Sequence, residues 1–248
     1  MWYIGIISVI SVIIGRSIAI EFPPGIQKCH YGDSECFRET ASNVIKNFPK
    51  GISAMGIESI DPLFHDKIDV KMNGNGPINI QMLYRNMSIF GFSKAKILKI
   101  EGFTKDPTKI QIHFKLNKIS VLSDYKIKGQ ILLFPMEGAG KSNNTMLDWD
   151  FYWNATVKLV EKNNEKYLKL EKYNTRFTTS RIWFFFENLF NGDQTLGHTA
   201  NDFFNDNWEF LFNEMKPILF KTAGKFFNTL VTIPFSNIPY KEFFHDEN

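Results

Sequence analysis

The chain has 248 residues and a formal net charge of +3, with 29 Lys and Arg against 26 Asp and Glu. No dense basic block occurs, which excludes the clustered positive face that nucleic-acid binding needs. Phenylalanine is abundant at 25 residues, more than an ordinary core uses, so composition alone raises the expectation of a lined cavity.

Trp2 to Gly15 is a run of apolar and small residues closed by Arg16. It is shorter than the roughly 20 apolar residues a spanning helix requires. Small residues at Ser17 and Ala19 suit cleavage after Ala19, so residues 1–19 read as a signal peptide and residues 20–248 as one secreted domain without stable membrane insertion. In an oxidising compartment the two cysteines, Cys29 and Cys36, are expected to close a local disulfide. Asn86, Asn143 and Asn154 head N-x-S/T sequons and are the expected glycosylation sites.

Ser34 to Lys50 carries a helical face of Phe37, Ala41, Val44, Ile45 and Phe48, ended by Pro49 and Gly51. Asp61-Pro62 turns the chain. From Lys67 to about Phe186 the period changes to two. Ile110, Ile112, Phe114 and Leu116 alternate with polar neighbours. Ile127, Ile131 and Leu133 are expected on one face. Trp149, Phe151, Trp153, Ala155, Val157 and Leu159 form the clearest strand, and Tyr167, Leu168 and Leu170 follow an Asn163-Asn164 turn. The pattern predicts a strongly curved antiparallel sheet, wet on one face. Asn154 falls on its polar face and Asn143 in an expected loop, MEGAGKSNNT. Asn86 lies where the alternation of Ile78, Ile80 and Met82 loses phase.

After Asn191-Gly192-Asp193 the spacing of Phe204, Trp208, Leu211, Met215, Ile218, Phe226 and Leu230 is that of one helical face. Phe203, Phe212, Leu219, Phe220 and Phe227 widen it. The expected helix runs from about Thr199, with Asp202 completing a capping box, to about Thr232. It is about 50 Å long and bent at Pro217. So wide an apolar stripe needs partners all along it. The expected fold is α+β, a long C-terminal helix wrapped by the curved sheet, with an apolar rod between them that is either filled or open as a tunnel. Phe114, Trp149, Phe151 and Trp153 from strands, with Phe204, Trp208, Leu211, Phe212 and Met215 from the helix, are the candidate ligand-binding wall. Tyr125 and Tyr152 are candidates for orienting a head group.

Catalytic chemistry finds no constellation, and the chain reads as a non-enzyme. Gly91-Phe92-Ser93-Lys94-Ala95 lacks the second glycine of a nucleophile elbow. Gly140-Lys141-Ser142 has Pro135 where a phosphate loop needs glycine. His30, His65, His113, His198 and His245 are scattered without metal-ligand spacing, so no metal or other cofactor is expected. His113 reads as solvated on the polar phase of its strand. Asp148 and Asp150 read as a solvated sheet face.

The block NLFNGDQTLGHTANDFFNDNWEFLFNEMKP at Asn188–Pro217 resembles the C-terminal block of the takeout and juvenile hormone-binding protein family of insects. The paired cysteines, SIDPL at Ser59–Leu63, SIFGFSKAKILKI at Ser88–Ile100 and YKIKGQILLFPMEGAGKSN at Tyr125–Asn143 are also similar to that family. The resemblance spans Cys29 to about Phe244. It implies a tubular lipid-binding fold around an elongated apolar tunnel, and a secreted carrier of a fatty acid, terpenoid or related lipid, with a protein receptor left open. No cysteine remains for the second bridge some hormone carriers possess. The alternative is an extracellular interaction or signalling protein with a filled core, and a secreted lipid-ester hydrolase is the remaining reading.

Overall fold

The computed structural model describes residues 26–72 and 76–246, so the expected signal peptide lies outside the described residues. Near the start, Asp33 accepts a hydrogen bond from the Cys36 amide at 3.0 Å and begins helix α1, Ser34–Asn47. This satisfies one of the free donors of its first turn. Cys29 and Cys36 are disulfide-bonded with Cα atoms 5.8 Å apart. Cys29 also pairs with the far end of the chain, donating to the Phe243 carbonyl and accepting from the His245 amide, both at 3.1 Å.

Seven strands form one antiparallel sheet: β1 Leu63–Met72, β2 Ile78–Phe90, β3 Lys96–Glu101, β4 Lys109–Ile131, β5 Phe134–Lys162, β6 Glu165–Thr178 and β7 Arg181–Trp183. The order is β1-β2-β4-β5-β6, with β3 added to β4 and β7 to β5. At 29 residues, β5 would measure roughly 95 Å if flat. The sheet instead curls into a half-barrel. Part of the bending is at Asp148, which has φ +49°. There the inward set switches phase, from Trp149, Phe151 and Trp153 on one side to Ser142, Asn144 and Met146 on the other.

The alternation expected for Ile110–Leu116 and Trp149–Val157 is present, each apolar residue being buried. Two details differ. The glycine-bearing stretch expected as a loop is the first part of β5, because its glycines serve close packing. A Cβ on Gly138 would lie 2.9 Å from the Leu189 Cα, and one on Gly140 2.7 Å from the Glu187 carbonyl oxygen. The turn falls instead at Leu132-Leu133, with Leu132 at φ +53°. This leaves Leu133 outside the strand face and 87% exposed. The phase loss at Asn86 is a register shift between Arg85 and Ser88, with Asn86 at φ +50°.

The expected long helix is two helices, α2 Gln194–Asp206 and α3 Trp208–Asn237. Asp193, not Thr199, caps α2, accepting from the Leu196 amide at 2.9 Å; the Thr199 hydroxyl bonds back to the Thr195 carbonyl. The interruption falls at Asn207, while α3 continues through both Pro217 and Pro234. Two asparagines one turn apart explain why α2 is held separately. The Asn201 amide exchanges hydrogen bonds with the Phe186 backbone and the Asn205 amide with the Phe184 backbone, all at 2.8–2.9 Å. They bind α2 to the segment after β7 like the rungs of a ladder.

Helix α3 lies in the open side of the half-barrel. Its exposed positions Glu209, Asn213, Pro217, Lys221, Lys225 and Thr229 recur every four residues, with Glu214, Ser236 and Asn237 outside that series. Both sheet edges reach it near one turn. The His65 ring of β1 meets Phe226 edge-on at 4.8 Å. A Cβ on Gly224 would stand 2.5 Å from the Thr175 hydroxyl of β6 and 2.9 Å from the Tyr173 ring, so glycine lets the helix approach that edge. The helix closes the trough, and its inward stripe faces the apolar interior.

Candidate ligand-binding chambers

The interior is partly hollow. A first cavity of about 230 Å³ lies between α1, β3 and the last turns of α3, from Phe227 to Phe235. A second, of about 170 Å³, is bounded by β1, β2, β5 and the middle of α3, from Phe212 to Phe227. Both are lined almost wholly by apolar side chains, and no charged side chain lines either among the described residues. Leu219, Ala223, Phe226 and Phe227 stay half-buried because one side of each faces hollow space.

The two cavities share two lining residues, Phe92 and Phe227. Around them the rings form a cluster. Phe227 lies 5.4 Å from Phe114 and 5.0 Å from Phe151, and Phe92 lies 6.4 Å from Phe114 and 6.2 Å from Trp149. Offset and edge contacts at these separations are favourable geometries for aromatic pairs. Phe92 is positioned by Asp61. That carboxylate accepts from the Gly91 amide at 3.1 Å, from the Ser93 amide at 2.9 Å and from the Ser93 hydroxyl. Two segments far apart in sequence, SIDPL and SIFGFSK, thus join to hold one ring.

The expected wall residues separate into two groups. Phe114 lines the first cavity, and Trp149, Phe151, Phe212 and Met215 line the second. Trp153 packs beside Phe227 at 5.7 Å, behind the cavity lining. Phe204 and Leu211 lie in a second apolar cluster with Phe186 and Leu189. Trp208 lies 5.8 Å from the Arg181 guanidinium and lines neither cavity.

Neither candidate head-group tyrosine lines these cavities. Tyr125 donates to the Glu187 carbonyl at 2.6 Å, and burial pushes its hydroxyl pKa up to about 12. Tyr152 is on the outer face, stacked on His113 at 3.9 Å. His113 itself, expected to be merely solvated, bonds Asp150 at 2.6 Å because β4 and β5 pair there in register. Among the lining residues missed are Tyr84 and Asn144, both in the second cavity, with Phe92 and Phe227 at the junction. Tyr84 continues the inward phase of Ile78, Ile80 and Met82, a signal present in the sequence. Asn144 is inward only because of the phase switch at Asp148, which no residue pattern announces.

The three sequon asparagines are exposed. Asn86 and Asn143 border one outer hollow with Leu122 and Phe185, and Asn86 donates to Asp124 at 2.6 Å. Asn154 borders another.

The family model for haemolymph juvenile hormone binding protein matches residues 6–245. The chain belongs to this family. It is similar to the circadian clock-controlled protein daywake of Drosophila melanogaster, with 23% identity over 99% of this chain and 96% of that one. The daywake protein of Drosophila yakuba is 22% identical over 91% of this chain and 89% of that one. The crystal structure of Epiphyas postvittana Takeout 1 matches with a TM-score of 0.74 and 23% identity, covering 88% of this chain and 98% of that one. That likeness establishes the fold, a curled sheet closed by C-terminal helices. The family is one of binding proteins for small hydrophobic ligands, and no described helix is long and apolar enough to cross a membrane.

Proposed function

We propose that this protein is a secreted carrier of one small hydrophobic ligand, such as a terpenoid, a fatty-acid derivative or a related lipid. The ligand occupies the two chambers along α3 and passes between Phe92 and Phe227. The observation that carries this reading is the pair of adjoining apolar cavities, where a filled interaction module would have close-packed rings. Each methylene leaving water contributes roughly 0.8 kcal/mol, so a fifteen-carbon chain gains on the order of 10 kcal/mol before association costs. Ordering and association take back a large part, leaving micromolar to nanomolar affinity without any catalytic group.

Secretion rests on the signal-peptide pattern and agrees with the disulfide. N-terminal sequencing of protein exported from insect cells is expected to begin at Ile20; a retained Met1 would contradict it. Glycans at Asn143 and Asn86 would also cover the exposed Leu122 and Phe185 beside them.

The test is displacement of a fluorescent apolar probe, 1-N-phenylnaphthylamine, by hydrocarbons and lipids of graded length. The carrier reading expects saturable one-to-one uptake. No uptake of any probe by folded protein would favour the filled interaction module.

A further inference from the structure

The second chamber differs from the first in its few polar groups. Among the described residues the first has only Gln27 and Thr40, and both are engaged with the disulfide sulfurs, Gln27 donating to Cys36 at 3.6 Å and Thr40 lying 3.8 Å from Cys29. The second has Tyr84, Asn144 and Thr222. None of these three side chains has a hydrogen-bond partner among the described residues, and the Asn144 carbonyl oxygen is fully buried without one. The indole N–H of Trp149, another lining residue, is likewise buried and unpaired. Buried polar groups in folded proteins nearly always have partners, so unpaired ones around a cavity point to what the cavity holds.

Two cationic or titratable side chains lie against rings that line the chamber, Lys216 5.2 Å from the Phe212 ring and His65 edge-on to Phe226. Arg181 lies over Trp183 and Trp208, neither of which lines it, and its buried Nε has no hydrogen-bond partner among the described residues. None of them lines the chamber. Burial holds the Tyr84 hydroxyl pKa well above its ordinary value, so it stays a neutral donor. An ionised carboxylate would therefore enter with no counter-ion, which is strongly disfavoured.

Resting on the carrier reading, we infer that the second chamber selects a lipid with an uncharged hydrogen-bonding group, a hydroxyl, ester, ketone or amide, and excludes an ionised carboxylate. Tyr84 and Asn144 are the residues that read this group, and the apolar tail extends past Phe92 into the first chamber. A carboxylic acid is accepted only in its protonated form.

The experiment compares four sixteen-carbon probes by displacement at pH 7.5 and pH 5.5: hexadecane, hexadecanol, methyl hexadecanoate and hexadecanoic acid. The alcohol and ester are expected to bind at least tenfold tighter than the hydrocarbon, with no change between the two pH values. The acid is expected to be weakest at pH 7.5. Its apparent affinity should rise about tenfold per pH unit on acidification, because only the neutral fraction binds and an ordinary carboxyl pKa is near 4.3. Tyr84→Phe and Asn144→Leu should each reduce the alcohol-to-hydrocarbon ratio about tenfold while hexadecane affinity holds, a readout that a folding defect does not mimic. A pH-independent acid binding as tightly as the alcohol would overturn the inference. So would an unchanged ratio in both variants while the hydrocarbon still binds. If hexadecane and every other probe fail, the carrier reading falls and this inference with it.

Discussion

The two chambers are built from the same kinds of apolar side chain but by different means. The first is assembled from distant pieces: α1, the β3 region and the end of α3, beside the disulfide and the pairing of Cys29 with Phe243. Its polar groups are already engaged, so it offers a ligand only dispersion and burial. The second is a continuous concave wall of β1, β2, β4 and β5 closed by one helix, and it keeps neutral polar groups without partners. On the proposed reading, volume for a tail and recognition of a head are supplied by separate parts of one interior. Phe92 and Phe227 lie where those parts meet.

Phe92→Ala attacks that meeting point and has the largest expected effect. Removing a buried ring costs about 3–5 kcal/mol of stability, measurable by urea unfolding. It also widens the passage between the chambers, so bulkier, branched tails should be tolerated. Unaltered tolerance of branched tails in the folded variant would show that the ring does not shape the passage.

Opening the disulfide by Cys29→Ser with Cys36→Ser should cost about 2–3 kcal/mol for so short a loop. The first chamber borders this bridge and the second does not. Long-chain ligands should therefore weaken while short polar ones bind normally, as read by displacement. Equal losses for both would mean that the chambers are not separable.

Filling each chamber in turn sharpens the same distinction. Ala223 lines the second and Ala41 the first. Overpacking terms of about 1–3 kcal/mol convert to roughly 5- to 150-fold in affinity. Ala223→Trp should impose this loss on every ligand, whereas Ala41→Trp should impose it only on long chains. The reverse ranking would place the head group in the first chamber.

The smallest expected effect concerns the outer face. Asn86→Gln replaces a residue suited to its φ of +50°, at about 1 kcal/mol. Intact-mass measurement should show loss of one glycan, with ligand binding unchanged. An unshifted glycan mass would remove Asn86 from the modified sites.

Much of this fold was legible in the sequence, because strands with one wet face and a helix with one apolar stripe print their periods directly. Trp149–Val157 and Ile110–Leu116 needed nothing more. Where reading failed, tertiary contacts had overruled a local cue. Gly138 and Gly140 suggested a loop but serve close packing against Glu187 and Leu189. Thr199 with Asp202 looked like a cap, yet Asp193 starts α2 earlier, and the Asn201 and Asn205 amides hold it to the Phe184–Phe186 backbone. The chamber wall was half visible. Large aromatics such as Trp153 and Phe204 were natural choices, but these two line neither cavity, while smaller or polar side chains such as Ala223, Thr222 and Asn144 face the hollow space beside Trp149 and Phe151. Bulk indicates core and says little about which side of it is empty.

The most direct test of the central claim is native mass spectrometry of the protein exported from insect cells, followed by extraction and identification of any bound lipid. The expected result is one uncharged lipid per chain, lost in the Ala223→Trp variant. An empty protein that also refuses hexadecane, hexadecanol and a terpenoid alcohol would contradict the carrier account and return the interior to ordinary packing.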